Sequence, residues 1–155
     1  MASIIAGLAL LATFYQLYLQ RRHNEKSLKP LGQIKFVDQK AQLAVQIENC
    51  GLGPMIIESL SFSKEGTVSP KIDEYLDLDK RSFFSASIDS EIKKVLPPNG
   101  QMDIFAKNVT SLTPEEIDLV RGKLSIVGVK LVYRDIYNNR FTAERSLQWF
   151  SRHQS

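Results

Sequence analysis

The chain has 155 residues, 43% of them hydrophobic and 24% charged, with a single cysteine. One cysteine is incompatible with a disulfide-stapled scaffold, and with His23 and His153 near opposite ends there is no ligand cluster at zinc-binding spacing. Twenty basic and 17 acidic residues leave a formal net charge of +3, but the excess is local: Arg21, Arg22, Lys26 and Lys29 face one acid, Glu25, in residues 20–30, while residues 31–155 hold equal numbers of each sign. The body of the chain therefore lacks the basic surface that nucleic-acid binding requires, and no nucleic-acid partner is expected.

Residues 2–20 come first and are the strongest signal. Ala2 to Leu19 contain no charged side chain, and a helix of that length rises about 27 Å, close to the hydrocarbon thickness of a bilayer. A transmembrane helix over 2–20 is expected, followed by a basic juxtamembrane linker over 21–30. Basic residues beside a span stay cytoplasmic. The expected topology is therefore a single-pass cell-membrane protein with its N-terminus outside and its C-terminal domain in the cytoplasm. A cleaved secretory signal is the competing reading. It calls for a basic segment before the apolar run and small residues at a cleavage site, whereas Met-Ala-Ser precedes this one and Phe14 to Gln20 offers no small-x-small pair.

Ala2, Ala6, Ala9, Thr13, Gln16 and Gln20 repeat at alternating spacings of four and three, a heptad seam of small and polar groups, and Gly7 lies beside it with Ser3. Small residues let helices approach closely in lipid, and glutamine amides can bond across the interface. This stripe is the expected helix-association face of a homo-oligomer; a passive span with ordinary alanine content accounts for the same residues. Arg21, Arg22, Lys26 and Lys29 are the expected headgroup contacts.

From residue 31 the pattern is mostly strand. Leu31–Val37 is one candidate. Gln42–Asn49 alternates, with Leu43, Val45 and Ile47 on one face. Asn49-Cys50-Gly51-Leu52-Gly53-Pro54 is a loop, and Met55–Ser63 is apolar again. Residues 70–96 are irregular: Ile72, Tyr75 and Leu76 have helical spacing, and Ser82–Ser87 or Ile92–Leu96 is a candidate edge strand. Pro97-Pro98-Asn99-Gly100 turns into a strand over Gln101–Lys107. Thr113-Pro114-Glu115-Glu116 starts a helix, with Thr113 as cap, Pro114 at the first helical position and Glu116 closing a capping box; Gly122 is expected to end it. Leu124–Tyr133 reads as a long strand, and Asn138-Asn139 as the turn of a hairpin ending at Trp149 and Phe150. Val45, Ile47, Ile57, Phe62, Phe105, Ile126, Val132 and Trp149 are the expected core. Short strands joined by turns, with one short helix before the last hairpin, give a mainly β fold, a β-sandwich over residues 31–150 with a tail at 151–155.

Three turn motifs carry a resemblance. Asn49, Gly51, Gly53 and Pro54 form an N-x-G-x-G-P loop. Leu96 to Gln101 form an L-P-P-N-G-Q turn. Tyr133, Asp135, Tyr137, Asn139 and Phe141 form a Y-x-D-x-Y-x-N-x-F run. Together they resemble uncharacterised bacterial single-pass membrane proteins with a C-terminal immunoglobulin-like β-sandwich. The resemblance implies an immunoglobulin-like fold and membrane anchoring, and transfers no catalytic residue. Met55 stands where such modules place an alanine.

No nucleophile elbow, phosphate loop or dinucleotide fingerprint is present. Gly51-Leu52-Gly53 leads into proline and a strand, the wrong context for phosphate binding. Cys50 has no neighbouring base in the sequence. Asp73, Glu74, Asp77 and Asp79 offer oxygens for calcium but lack the glycine and terminal glutamate of a helix-loop-helix site. Asn108-Val109-Thr110 matches a glycosylation acceptor, read as chance. No cofactor is expected. Two functional classes stay open: a non-catalytic interaction module that binds a protein partner or ligand through its sandwich, or an enzyme or transport-accessory subunit with a site in residues 70–95 formed by Asp73, Asp77, Asp79 or Glu91.

Overall fold

The computed structural model describes residues 2–88 and 93–153. It consists of a long apolar N-terminal helix followed by two antiparallel β-sheets stacked as a sandwich. Helix α1 spans Ala2–Ser27, 26 residues or about 39 Å. Side chains from Ser3 to Asn24 are all exposed. Among the described residues α1 is the one helix long and apolar enough to cross a membrane. The segment read as a polar linker is helical up to Ser27, because nothing between Gln20 and Ser27 breaks a helix. Pro30 enforces the break, since the ring disfavours helical backbone in the residue before it.

The first sheet orders β1 (Gly32–Asp38), β2 (Gln42–Asn49), β7 (Gln101–Asn108) and β5 (Phe84–Ser85) as β1-β2-β7-β5. The second orders β4 (Thr67–Ser69), β3 (Met55–Lys64), β8 (Gly128–Arg134) and β9 (Arg140–Ser146) as β4-β3-β8-β9, with β6 (Lys94–Leu96) pairing β3. Both stretches expected to supply an edge strand do so. β5 lies beside β7, and β6 takes the Met55–Ile57 end of the β3 edge that β4 occupies at Phe62–Lys64. Each sheet carries a bulge. Ile104 is the extra residue of β7 opposite the Val45/Gln46 step, and Glu58 is the extra residue of β3 opposite Val132 and Tyr133. The β7 bulge lets consecutive residues Ile104 and Phe105 both be buried.

Val45, Ile47, Ile57, Phe62 and Phe105 are completely buried, as expected. Ile126 and Trp149 are exposed and Val132 is half-buried, and these three expectations are corrected. The cause of the first and third is the length of α3, Pro114–Ser125. Gly122 does not stop it, because one further turn places Leu124 beside Val120 in the core. The strand then starts at Gly128 rather than Leu124, and Val129, Leu131 and Tyr133 point inward. A one-residue change of phase exchanges the two faces of a strand. The N-terminal capping box forms as expected: Glu116 N donates to Thr113 Oγ1 at 3.3 Å, and Thr113 N to Glu116 Oε2 at 2.8 Å.

The last strand stops at Ser146. Residues Leu147–His153 form 3-10 turns that bury Leu147 and Phe150. Trp149 faces outward between them, 5.4 Å from the Phe36 ring, with the Arg152 guanidinium stacked 3.1 Å from its centre. Asp38, whose side chain is 2% exposed, ties these turns and α3 to β1 through Arg121 at 2.7 Å and Arg152 at 3.4 Å. Arg145 of β9 donates to the carbonyl of Ile34, covering the open edge of β1.

Candidate functional site

The junction between α1 and the sandwich is organised around one buried amide side chain. Asn49 ends β2 and is completely buried. Its Oδ1 accepts from the amides of Leu31 at 3.2 Å and Gly51 at 3.1 Å. Its Nδ2 donates to the carbonyls of Gly53, Leu96 and Pro97 at 2.8, 3.1 and 3.2 Å. Its backbone joins the same turn, with Asn49 N donating to Gly100 O and Asn99 N to Asn49 O. The N-x-G-x-G-P loop and the L-P-P-N-G-Q turn, far apart in sequence, are thus held together by one side chain.

Both glycines of the loop are needed because the chain leaving α1 lies against them. A β-carbon on Gly53 would sit 1.7 Å from the carbonyl oxygen of Leu28, and one on Gly51 would sit 2.4 Å from that of Lys29. The third motif meets the same segment from the other side. Gly32 N donates to the Tyr133 hydroxyl at 3.0 Å. Asp135, 2% exposed, accepts from Tyr137 N, Asn139 N and Asn139 Nδ2, each at 2.8 Å, and so shapes the β8–β9 turn. Asn138 takes the left-handed backbone there, with φ 69°. The Lys29 ammonium sits 4.8 Å from the Phe141 ring centre. Two of the motifs thus meet Leu28–Gly32 directly, where the helix enters the sandwich, and the L-P-P-N-G-Q turn is joined to them through Asn49.

Between the last turns of α1 and the β8–β9 hairpin lies an open cleft of about 470 Å³. Arg22, Lys26 and Lys29 line it from the helix side and Arg140 and Phe141 from the hairpin side. Of the expected headgroup residues, Arg22, Lys26 and Lys29 are brought together there, whereas Arg21 pairs with Glu25 along the helix at 3.3 Å. The expected association stripe is open along α1: Ala6, Ala9, Thr13, Gln16 and Gln20 are exposed, and a side chain added at Gly7 would meet nothing within 4 Å. Thr13 Oγ1 donates back to Ala9 O at 2.9 Å.

The acidic residues of the 70–95 segment are engaged separately. Asp73 pairs with Lys80 at 3.1 Å, Asp77 with Lys123 at 3.4 Å, and Asp79 caps the turn at Lys80–Ser82 by accepting from Arg81 N. Glu91 lies outside the described residues. Among the described residues no three His, Cys, Asp or Glu side chains are grouped to hold a metal. Cys50 is exposed at the rim of the junction, its Sγ 3.3 Å from Gln33 Oε1.

The sequence carries a signal for the burial of Asn49, since residues 43, 45 and 47 point inward and 49 has the same parity. No signal in the sequence joins Arg140 to Lys26. No protein-family model matches this chain, and no curated protein matches it.

Proposed function

We propose that this chain is a single-pass membrane protein whose immunoglobulin-like sandwich is a non-catalytic interaction module held against the cytoplasmic face of the cell membrane. The observation that carries the reading is the junction: an apolar helix exposed from Ser3 to Asn24 is joined to the sandwich by a glycine-lined seat rather than by a free tether. Water does not tolerate a bare apolar surface of that size, and lipid does. An anchor is favoured over a cleaved signal because Phe14 to Gln20 is helical and without paired small residues. The immunoglobulin-like assignment draws on strand order. β1-β2-β7-β5 against β3-β8-β9 follows the A-B-E-D against C-F-G arrangement of such sandwiches, with β4 and β6 as additions beside C.

The separate engagement of Asp73, Asp77 and Asp79 supports an interaction module over a catalytic site in residues 70–95. The bilayer is the first partner, and a protein or ligand bound by the sandwich is the second. The cytoplasmic placement follows from the basic residues after the span. Fusions of a fluorescent reporter and of alkaline phosphatase to the C-terminus test it. The fluorescent fusion should be active and membrane-bound after alkaline carbonate washing; an active phosphatase fusion, or release by carbonate, overturns the proposal.

A further inference from the structure

We infer that the cleft between α1 and the β8–β9 hairpin is a binding site for the phosphate of an anionic phospholipid headgroup. The inference rests on the anchored reading and extends it from a basic flank to a defined site built from both parts of the molecule. The flank supplies Arg22 and Lys26, one turn apart on the same face of α1, and then Lys29. The sandwich supplies Arg140. Four cations thus line a space large enough for a headgroup, about 470 Å³.

The lining also holds two acids, Asp135 and Glu25, which leaves it a net charge of +2. Asp135 receives three hydrogen bonds from its own hairpin, and Glu25 pairs with Arg21. Arg140 gives its Nε to Glu58 at 2.7 Å, which leaves the far edge of its guanidinium for another acceptor. Among the described residues Arg22, Lys26 and Lys29 make no ion pair. A lining of four basic and two acidic groups favours an anion with several oxygens, and a guanidinium with ammonium groups suits a phosphate.

Depth selects the source of that phosphate. Leu19 ends the apolar run, and helical rise carries Arg22 to Lys26 about 5–10 Å beyond it. That is the headgroup layer, which adds roughly 5–8 Å to each side of the hydrocarbon core. Phe141, half-buried under Lys29, gives the cleft an apolar wall for the glycerol end of a lipid. A choline headgroup would bring its own cation against the four, so phosphatidylglycerol is preferred over phosphatidylcholine.

The test uses the full chain in vesicles of phosphatidylcholine mixed with phosphatidylglycerol, with the lipids retained on release into the gas phase read by native mass spectrometry. The parent is expected to retain phosphatidylglycerol selectively. Lys26→Gln, on an exposed helix where it cannot unfold the sandwich, should lower that selectivity about 5-fold, and Lys26→Gln with Arg140→Gln further. Lys71→Gln, exposed on the sandwich and outside the cleft, should leave it unchanged. Equal retention of both lipids by the parent, or an equal loss from Lys71→Gln, overturns the inference. Displacement of the lipid by millimolar inorganic phosphate also overturns it, since the site would then serve a soluble anion. Carbonate washing of pure phosphatidylcholine vesicles separates the two readings. A chain retained there without lipid selectivity keeps its anchor and loses the cleft, whereas a chain washed off loses the anchor itself.

Discussion

Replacing Asn49 by alanine would leave the amides of Leu31 and Gly51 and the carbonyls of Gly53, Leu96 and Pro97 around a buried space with no side chain to bond them. Each stranded buried group costs about 1–3 kcal/mol, and some will find water, so Asn49→Ala should destabilise the full chain by on the order of 3 kcal/mol in thermal melting. Asn49→Asp should do no better at neutral pH, because it sets an anion against three carbonyls; a melt unchanged by either substitution would mean the junction does not depend on this amide. Asp38 makes the second residue-scale case. Its hydrogen bond raises the pKa of Arg121, burial opposing in part. A cation whose pKa is raised on folding contributes stability that is complete below its unfolded pKa and lost only as pH climbs through the folded one, so this contribution is constant from acid through neutral pH on the arginine side. Arg121→Met should cost about 3 kcal/mol at neutral pH by leaving Asp38 with Arg152 alone. Adding Asp38→Asn should recover part of that loss in a double-mutant cycle, and strict additivity would show the pair to be uncoupled.

At the scale of elements, β8 provides the sharpest check of register. Leu131 is completely buried and Ile126 is 51% exposed. Leu131→Ala should cost about 2–5 kcal/mol and Ile126→Ala within about 0.5 kcal/mol; the reverse ranking would restore the longer strand and the shorter helix that the apolar pattern suggests. Helix α1 poses a question about association. With no hydrophobic drive between helices in lipid, the stripe from Ala6 to Gln20 must act through close packing and amide bonding, and a glutamine contact contributes about 0.6–2 kcal/mol. Gly7→Leu with Gln16→Leu should lower self-association in a membrane dimerisation assay, while Leu8→Ala, off the stripe, should change little. Equal signals from all variants would leave α1 as a passive anchor.

For the whole molecule, the seat at Leu28–Gly32 turns the helix and the sandwich into one lever. The chain passes from α1 into β1 through four residues, Leu28 to Leu31, held by the Asn49 loop and the β8–β9 hairpin, and in the proposed anchored state this would limit how far the sandwich swings from the bilayer. A partner would then meet the same face of the module at the same height above the membrane, and weak binding by the sandwich would gain from clustering of the anchors. In the proposed topology the basic residues after the span are also what orients it. Neutralising Arg21, Arg22, Lys26 and Lys29 together should produce mixed orientation in reporter fusions, with both reporters active; a single retained orientation would assign topology to the folded domain instead.

What the residues determined by themselves was local. Eighteen uncharged positions specify an apolar helix, alternation at Leu43, Val45 and Ile47 specifies a half-buried strand, and Thr113 with Pro114 and Glu116 specifies where α3 begins, because each signal is complete within one or two turns of chain. The end of α3 was not legible. Gly122 is a sound stop signal, but the core gains more from burying Leu124 than a glycine cap would return, and that comparison exists only once the sheets face each other. The extra residues Glu58 and Ile104 are undetectable in a strand pattern for the same reason, since a bulge is defined by the partner strand. The junction shows the division most clearly. Its three motifs are visible as turns, but that Asn49 joins two of them beside Leu28–Gly32 while the third meets that segment from the other side, and that Lys26 and Arg140 share a cleft, was decided by tertiary structure alone: long-range packing sets which turns meet, and no local propensity encodes it.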